Sequence, residues 1–395
     1  MPADSTLLLA GLFILAAASG WAYARYSERD EITQDPRPLS ADYFAGLNYL
    51  LREQPDEALE AFIRMVDVEG ESVETHFALG SLFRRRGEVD RAIRLHQNLI
   101  ARPDLSREHR DQALFELGED YLRAGLFDRA EALFRQVSET PTHGVAALES
   151  LVRIFELQRD WEQAIEARRK LERLRATGDE SHMIAHYYCE LAEKSIAAKD
   201  LAAARSWLKK AQAGRVRTVR GALMRGDIAA RMDEHALAVD LYRRVLEEDK
   251  TFLPEALPRL RRSLEAAGRG SEFSGMLEAY TAQDPALRPA LAYAAILNDM
   301  LDDPVAAACV SEYIRTQPTL NEIYGSLEQA DDRETIARIC RALRHLAEGT
   351  PRYSCRQCGF QSASLFWQCP GCKAWDTIRP NARFHFAALI DPAAY

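Results

Sequence analysis

The sequence of 395 residues lacks the short motifs that mark the common enzyme classes. It has no glycine-rich nucleotide loop, no nucleophile elbow, no His-Glu-x-x-His motif and no coherent acid–base pair. It also lacks an excess of positive charge, because its net charge is −9, and an acidic surface suits nucleic acid poorly. These absences predict a protein without catalytic residues and without a nucleic-acid partner, so we expect binding rather than chemistry.

Cysteine is scarce and unevenly placed. The chain has seven cysteines, an odd number that does not suit the disulfide framework of a secreted protein. Four are crowded near the C-terminus, and the other three, Cys189, Cys309 and Cys340, lie inside helical patterns with no partner at ligand spacing. We predict that these three are small buried hydrophobic residues.

Two groups of polar side chains are open to more than one interpretation. We interpret scattered histidines as surface or core residues rather than metal ligands, because no metal motif contains them. Three nearby arginines form a basic cluster, for which a solvated face is expected and a docking site for an acidic segment is the alternative. The histidines are His76, His182 and His186, and the arginines are Arg215, Arg217 and Arg220.

Residues 5–24 form a run of twenty residues without a charge. A helix of this length spans roughly 30 Å, which is the thickness of the hydrocarbon core of a bilayer. Arg25 and Arg29 follow the run and only Asp4 precedes it, so the positive-inside rule places the rest of the chain in the cytoplasm. We predict a single transmembrane anchor. A cleaved signal peptide is the alternative, because Ala22 and Ala24 mimic a cleavage site.

Most of the remaining chain is predicted to consist of short amphipathic helix pairs. The unit is clearest at residues 111–141, where Gly118 in the first helix stands twelve residues before Ala130 in the second. We expect these small residues to let the two backbones approach closely, with Tyr121 and Phe134 filling the space beside them. Such a pair cannot bury its apolar face alone and needs neighbouring copies.

The copies recur at a nearly fixed interval. The alanine of the second helix returns after 34, 38, 34, 40 and 34 residues, which resembles the tetratricopeptide repeat with its period of about 34 residues. An ordinary helical bundle with coincidental alanines is the alternative. Where other residues replace Phe134, we expect the helix pair to widen or the residue to face outward. The alanines are Ala58, Ala92, Ala130, Ala164, Ala204 and Ala238; the glycines are Gly46, Gly80, Gly118 and Gly226; the replacements are His96, Arg168 and Leu208.

The repeats become irregular after Asp249. Residues 257–280 and 290–316 still have the pattern of helix pairs, the second ending at Pro318, and residues 333–347 have the pattern of a last amphipathic helix. The predicted fold is therefore all-α: a tetratricopeptide-repeat superhelix with an N-terminal transmembrane helix and a small C-terminal metal domain. We place the anchor at residues 1–26, a linker at 27–39, the repeat array at 40–349 and the metal domain at 350–395.

The C-terminal tail contains two Cys-x-x-Cys pairs, Cys355 with Cys358 and Cys369 with Cys372. Four thiolates suit a closed tetrahedral site for one zinc or iron ion, and a redox dithiol pair is the alternative. We expect two glycines to let backbone amides turn towards the sulfurs, and five side chains to cover the site. The glycines are Gly359 and Gly371, and the covering residues are Phe360, Leu365, Phe366, Trp367 and Trp375.

So small a tail cannot bury enough surface to fold unaided, and we expect the metal to supply its folding free energy, on the order of 10 kcal/mol. The tail is similar to rubredoxin, although rubredoxin separates its cysteine pairs more widely. This difference in spacing argues against carrying electron transfer over from rubredoxin. An electron carrier that docks through its repeats is the alternative function. We expect instead a structural clasp that docks on the final repeat helices.

The order of one N-terminal span, a tetratricopeptide array and a tail with Cys-Arg-Gln-Cys-Gly and Trp-x-Cys-Pro-x-Cys resembles the lipopolysaccharide assembly protein B family of Gram-negative bacteria. The resemblance implies a rubredoxin-like tail and a non-enzymatic adaptor at the inner membrane that controls lipid A synthesis. Its implied partners are a membrane protease of the FtsH type, the LpxC deacetylase that this protease degrades, and other lipopolysaccharide assembly proteins. It also implies that the four tail cysteines hold the metal, but it assigns no partner-binding residues.

Overall fold

The structure, a computed structural model, describes residues 73–175, 181–213, 218–326, 332–348 and 350–381 and a few isolated positions. Nearly all of the predicted anchor at residues 5–24 lies outside this part of the chain, as do Gly46 and Ala58 of the first repeat. Within the described ranges no helix is long and apolar enough to cross a membrane. The chain divides into two compact units, residues 1–147 and 148–395, and each is described by itself.

In the described part of the first unit, from residue 73 onwards, there are two helical hairpins. Short turns join the helices of each hairpin, and Gly87 and Gly125 adopt positive φ angles of 82° and 75° there, as is common just after a helix ends. Ser106 caps the second hairpin by accepting a hydrogen bond from the backbone nitrogen of His109 at 3.2 Å. The helices are α1 (Val73–Arg85), α2 (Val89–Ile100), α3 (Arg107–Arg123) and α4 (Phe127–Val137).

The second unit continues the helical hairpins and ends in a small sheet. Helix α5 (Gly144–Gln158) begins just before the division between the units. The helices that follow are α6 (Trp161–Arg175), α7 (Ser181–Ala197), α8 (Leu201–Ala211), α9 (Val219–Arg231), α10 (His235–Glu248), α11 (Leu253–Ala266), α12 (Glu272–Gln283), α13 (Arg288–Leu297), α14 (Pro304–Thr316), α15 (Pro318–Ser326) and α16 (Asp332–Glu348), with 3₁₀ turns at Lys250–Phe252 and Pro285–Leu287.

The repeated alanine and glycine have different roles in the helix pairs. All five described alanines of the series, from Ala92 to Ala238, are fully buried. The glycine, however, makes room for an aromatic ring rather than for the opposing backbone. A Cβ atom added to Gly118 would lie 2.7 Å from the Phe134 ring, and one added to Gly226 would lie 2.4 Å from the Tyr242 ring. Phe134 thus fills the space beside Gly118 as predicted, whereas the close approach of the two backbones stays a prediction.

His96 takes the place of Phe134 in the first hairpin, and the expectation that it widens the pair or faces outward is wrong. Its side chain is fully buried against Gly80, where an added Cβ would lie 2.4 Å from the imidazole. The buried Asp120 of α3 compensates for the polar ring, because its Oδ2 lies 2.5 Å from His96 Nδ1. Arg84 donates to the other carboxylate oxygen at 2.7 Å. Leu208, a second replacement, is fully buried as well.

The irregular region after Asp249 shares one apolar core with the regular helices before it, from Val219 of α9 to Ala347 of α16. The predicted helix pairs and last helix are present. The second pair ends at Thr316, just before Pro318 as predicted, and Pro318 then begins α15, a helix that the sequence analysis does not predict. Proline is tolerated in the first turn of a helix, where its missing N–H would have no intrahelical partner.

Three short strands follow the last helix: β1 (Tyr353–Cys355), β2 (Gln361–Ser362) and β3 (Ile378–Pro380). They form an antiparallel sheet in the order β2-β1-β3, with Tyr353 opposite Ser362 on one side and Pro380 on the other. We call residues 353–380 the ribbon. The predicted combination of a helical repeat fold with a small C-terminal metal-binding fold is confirmed, whereas the domain boundaries at residues 26, 39 and 349 stay predictions.

Candidate metal centre

Each Cys-x-x-Cys pair lies in a tight turn of the ribbon. Gly359 N donates to Cys355 O at 3.0 Å, and Lys373 N donates to Cys369 O at 2.9 Å. Gly359 and Lys373 occupy equivalent places after the two pairs, with φ angles of 75° and 60°. Only the first of the two predicted glycines therefore provides a left-handed turn, and Lys373 takes that role in the second pair.

The ribbon brings all four predicted cysteines together. Their sulfurs lie within 4.8 Å of one another. The Cys355 and Cys372 sulfurs are 3.8 Å apart, and the Cys358 and Cys369 sulfurs are 3.6 Å apart. A tetrahedral ion with metal–sulfur bonds of about 2.3 Å requires sulfurs about 3.8 Å apart. The arrangement therefore fits one tetrahedral metal ion, for which the four cysteines are the proposed ligands.

The thiols cannot all ionise without a cation, because neighbouring thiolates repel one another. Burial disfavours the Cys355 thiolate, but hydrogen bonds from Thr377 and from the backbone amides of Cys358 and Gln357 lower the pKa of Cys355 to about 6. A hydrogen bond from the Phe360 amide also lowers the pKa of Cys358, but burial and the adjacent thiols raise it to about 11. A divalent cation removes this conflict, since it stabilises every thiolate at once.

The five predicted covering residues lie in three different environments. Phe360 and Leu365 pack with the buried Cys355 and Cys369 in the core of the ribbon. Phe366 is 41% exposed. The two tryptophans, Trp367 and Trp375, pack on the helices of the repeat array, as the following contacts show.

Trp375 is the main anchor of the ribbon on helices α5 to α7. Its ring is stacked on His186 at a centroid distance of 5.3 Å and meets the edges of Trp161 and Tyr187 at 5.9 and 5.7 Å. Its indole Nε1 donates a hydrogen bond to Glu156 Oε1 at 3.0 Å. The side chain is only 7% exposed. The array therefore buries the ring and accepts the hydrogen bond of its N–H group.

Trp367 and Arg379 bind the ribbon to the segment between α10 and α11. The Trp367 ring is stacked almost parallel on Phe252, with centroids 5.6 Å apart. Arg379 lies over the Phe252 ring at 5.3 Å and forms an ion pair with Asp249 at 3.1 Å. Tyr353 donates a hydrogen bond to Glu255 of α11. The contacts lie mainly on α5 to α11, so the expectation that the ribbon docks on the final repeat helices is wrong in its location.

Arg220, expected on a solvated face, is 1% exposed and lies 5.9 Å from the centre of the Trp367 ring. It donates to Glu190 and Glu193 of α7, each at 2.8 Å. Burial disfavours its charge, but these carboxylates keep the pKa of the Arg220 guanidinium above its usual value. The solvated interpretation is therefore wrong for Arg220. Arg215 and Arg217 lie outside the described residues.

A second cluster of polar side chains lies at the same interface. Asp376 Oδ2 is 2.8 Å from His182 Nε2, and the buried His186 lies one turn further along α7. Burial lowers the pKa of His186 to about 3, despite the opposing effect of Asp376. Burial also opposes ionisation of Asp376, but His182 and Arg379 keep its pKa below the usual value.

Sequence reasoning missed Asp376 as a partner of these histidines, because 194 residues separate it from His182. The four-residue spacing of His182 and His186 on one helix was the available signal. The three lone cysteines, in contrast, follow the prediction: Cys189, Cys309 and Cys340 are all buried.

Comparisons with known proteins agree with this architecture. A rubredoxin metal binding domain matches residues 353–380, and tetratricopeptide repeat models match residues 75–109 and 115–179. The lipopolysaccharide assembly protein B of Escherichia coli strain K12 is 33% identical over 380 residues, which cover 94% of this chain and 97% of that protein. The protein of the same name from Haemophilus influenzae is 29% identical over 389 residues, covering 94% and 98%.

Among solved structures, the C-terminal part of a tetratricopeptide repeat-containing protein from Cytophaga hutchinsonii covers 62% of this chain and 95% of its own, with a TM-score of 0.41 and 16% identity.

Proposed function

Because this chain belongs to the lipopolysaccharide assembly protein B family, we propose that it regulates lipopolysaccharide synthesis as a non-enzymatic adaptor at the bacterial inner membrane. In this proposal the helical repeats bind other proteins, and the chain promotes proteolysis of the LpxC deacetylase by the FtsH protease. It also gathers other lipopolysaccharide assembly proteins at the membrane. The observation that carries the proposal is the ribbon packed into the repeat helices through Trp367 and Trp375, which makes one binding platform of two folds.

The repeats support binding rather than catalysis. Stacked helix pairs present long surfaces that accept an extended peptide or a helix. The titratable groups with large pKa shifts in the described ranges are mostly buried structural groups, such as Tyr187 and Cys189, whose pKa values burial raises. Neither has the exposed, low-pKa character of a nucleophile.

The membrane anchor is part of the proposal. The uncharged residues 5–24 are long enough to cross a bilayer once, and the arginines that follow favour a cytoplasmic array and ribbon. Tethering would hold the array close to a membrane protease and so raise the effective concentration of each partner.

We propose that the metal at Cys355, Cys358, Cys369 and Cys372 is structural, and that either zinc or iron can fill the role. The four cysteines leave no open coordination position for a substrate. The alternative function, electron transfer, requires iron, because zinc has no redox chemistry. A chain loaded only with zinc would therefore be inactive as an electron carrier but fully active as an adaptor.

The adaptor proposal is tested by replacing the cellular copy with a chain that lacks residues 1–26 and measuring the lifetime of LpxC and the amount of lipopolysaccharide. We expect a folded, soluble chain that no longer shortens the lifetime of LpxC. A matched control keeps the chain but replaces residues 5–24 with an unrelated apolar span of equal length, which should restore regulation.

Normal regulation by the soluble form would contradict the tethering proposal. Unchanged LpxC lifetime after loss of the entire chain would contradict the proposed pathway itself. Affinity purification of the full-length chain from membranes, followed by identification of the bound proteins, then tests the protease and the deacetylase as partners directly.

A further inference from the structure

The four cysteines are not the only cluster of metal-binding side chains among the described residues. Three more such side chains meet where the ribbon contacts helix α7. His182 and His186 are four residues apart on α7 and therefore lie on the same face of the helix. Asp376 reaches them from the ribbon. One possible ligand atom of each residue lies within 4.8 Å of the other two.

His186 is the observation that points to a ligand. Its side chain is completely buried, and neither of its ring nitrogens has a hydrogen-bond partner among the described residues. Buried polar atoms almost always have a partner, and those without one call for an explanation such as a missing ion or water. The ring is also neutral in this environment, which is the form of histidine that binds metals.

Asp376 is already oriented as a metal ligand. Its Oδ1 accepts a hydrogen bond from Arg379 Nη1 at 3.0 Å, while its Oδ2 lies 2.8 Å from His182 Nε2. Carboxylates that bind metals are commonly held in this way by a further hydrogen-bond donor. Arg379 therefore fixes one oxygen and leaves the other for the cluster.

We propose that His182, His186 and Asp376 form a second metal site, suited to a zinc-like divalent cation, that ties the ribbon to helix α7. Two imidazoles and one carboxylate are a common zinc ligand set, and water would complete the tetrahedron. Bonds of about 2.1 Å place tetrahedral ligands about 3.4 Å apart. The three ligand atoms must therefore move by small side-chain rotations, which the partly exposed His182 permits.

Nearby positive charge does not prevent a cation from binding. Arg220 is already paired with Glu190 and Glu193, and Arg379 is paired with Asp249 as well as with Asp376. Two arginines and four carboxylates give the surroundings a net charge of −2, which favours a cation. The cation would replace the direct contact between His182 Nε2 and Asp376 Oδ2, and both atoms would bind the cation instead of each other.

The second metal site would depend on the four-cysteine site, but the four-cysteine site would not depend on the second. The ribbon holds Asp376 in place, and the ribbon needs its four-cysteine metal to fold. Removal of the first metal should therefore abolish the second site, whereas removal of the second should leave the first intact. This asymmetry separates a true second site from an accidental surface ion.

The test measures zinc per chain by equilibrium dialysis of the full-length protein and elemental analysis. We expect two ions for the natural sequence, one for His186→Phe and one for Asp376→Asn. Phenylalanine keeps the stacking on Trp375, and asparagine keeps a hydrogen bond to Arg379, so both variants should fold. Cys358→Ser should lose both ions. His345→Ala, at an exposed histidine of α16, is the matched control and should keep two.

One ion in the natural sequence, or two ions in His186→Phe, would overturn the proposal. Cobalt provides an independent measurement on the same proteins. The first equivalent should produce sulfur-to-cobalt charge-transfer absorption, and the second should add only weak visible bands. Growth of the charge-transfer absorption with the second equivalent would place that ion on sulfur and would also overturn the proposal. Neither measurement depends on the proposed adaptor function.

Discussion

The helices from α9 to α16 bury a continuous set of apolar side chains, whereas the buried core of the ribbon consists of Tyr353, Cys355, Cys369 and Ile378. Two of these four are proposed metal ligands. The helices are thus stabilised by apolar burial, and the ribbon by contacts with the helices and, as we propose, by metal coordination. We therefore expect the ribbon to depend on both its metal and the array, and the array to fold without the metal.

Loss of the metal should produce the largest separation between the two regions. In Cys358→Ser, one of four ligands is missing, and the ribbon should lose most of a metal contribution on the order of 10 kcal/mol. We expect the zinc or iron content to fall and the ribbon to become sensitive to protease, while the helical circular dichroism remains. Cys340→Ala, in α16 away from the ribbon, should keep the metal. A metal-free variant whose ribbon still resists protease would show that the ribbon, like the array, folds without the metal.

Removal of the Trp375 contact between the ribbon and the array should have the second largest effect. Trp375→Ala removes a buried indole, and such truncations cost about 3–5 kcal/mol. Because the metal ligands remain, we expect the metal to stay bound while amide hydrogen exchange increases in the ribbon and along α7. Phe366→Ala changes an exposed aromatic residue of the same ribbon. It should change neither the metal content nor the amide hydrogen exchange. Equal effects of the two variants would show that the ribbon folds independently of the array.

A change confined to the array should affect only the array. A methyl group at Gly226 would collide with the Tyr242 ring, and overpacking of this kind costs about 1–3 kcal/mol. Gly226→Ala should therefore lower the thermal midpoint of the helices without loss of metal. Gly275→Ala is the matched control, because no atom lies within 4 Å of its added Cβ. Since alanine favours helix, that variant should be unchanged or slightly more stable.

The smallest effect is expected at an exposed ion pair. Arg338 and Glu334 are one turn apart on α16, and both side chains are more than half exposed. Pairs of this kind contribute about 0.3–0.5 kcal/mol. Arg338→Ala should shift a denaturant midpoint by no more than that, with the metal content unchanged. A larger shift would show that the surface of the irregular region contributes more than its packing suggests.

The regular part of this fold is predictable because its periodic signal is local. The buried alanines from Ala92 to Ala238 lie at the positions that the repeat predicts. The environment of His96 is not predictable in this way, because a buried imidazole is acceptable only with Asp120 beside it. That aspartate belongs to the next hairpin, and no local pattern links the two residues.

The ribbon shows the same contrast between local patterns, which are predictable, and contacts between distant residues, which are not. The spacing of the cysteines predicts the four-sulfur cluster, because both pairs are short-range motifs. The location of the ribbon on the array depends on pairs such as Trp375 with Glu156, which are 219 residues apart. The aromatic residues of the tail were visible in the sequence, but their partners could be identified only from the folded chain.

The position of Trp375 also has a consequence for biosynthesis. The ribosome completes α5 and α7 before the ribbon emerges, so Tyr187 and His186 stay uncovered until the ribbon has been made and folded. During that time the nascent chain exposes aromatic side chains, and transiently exposed apolar surface favours aggregation. Because we expect the ribbon to fold only with its metal, the burial of these side chains should follow metal binding.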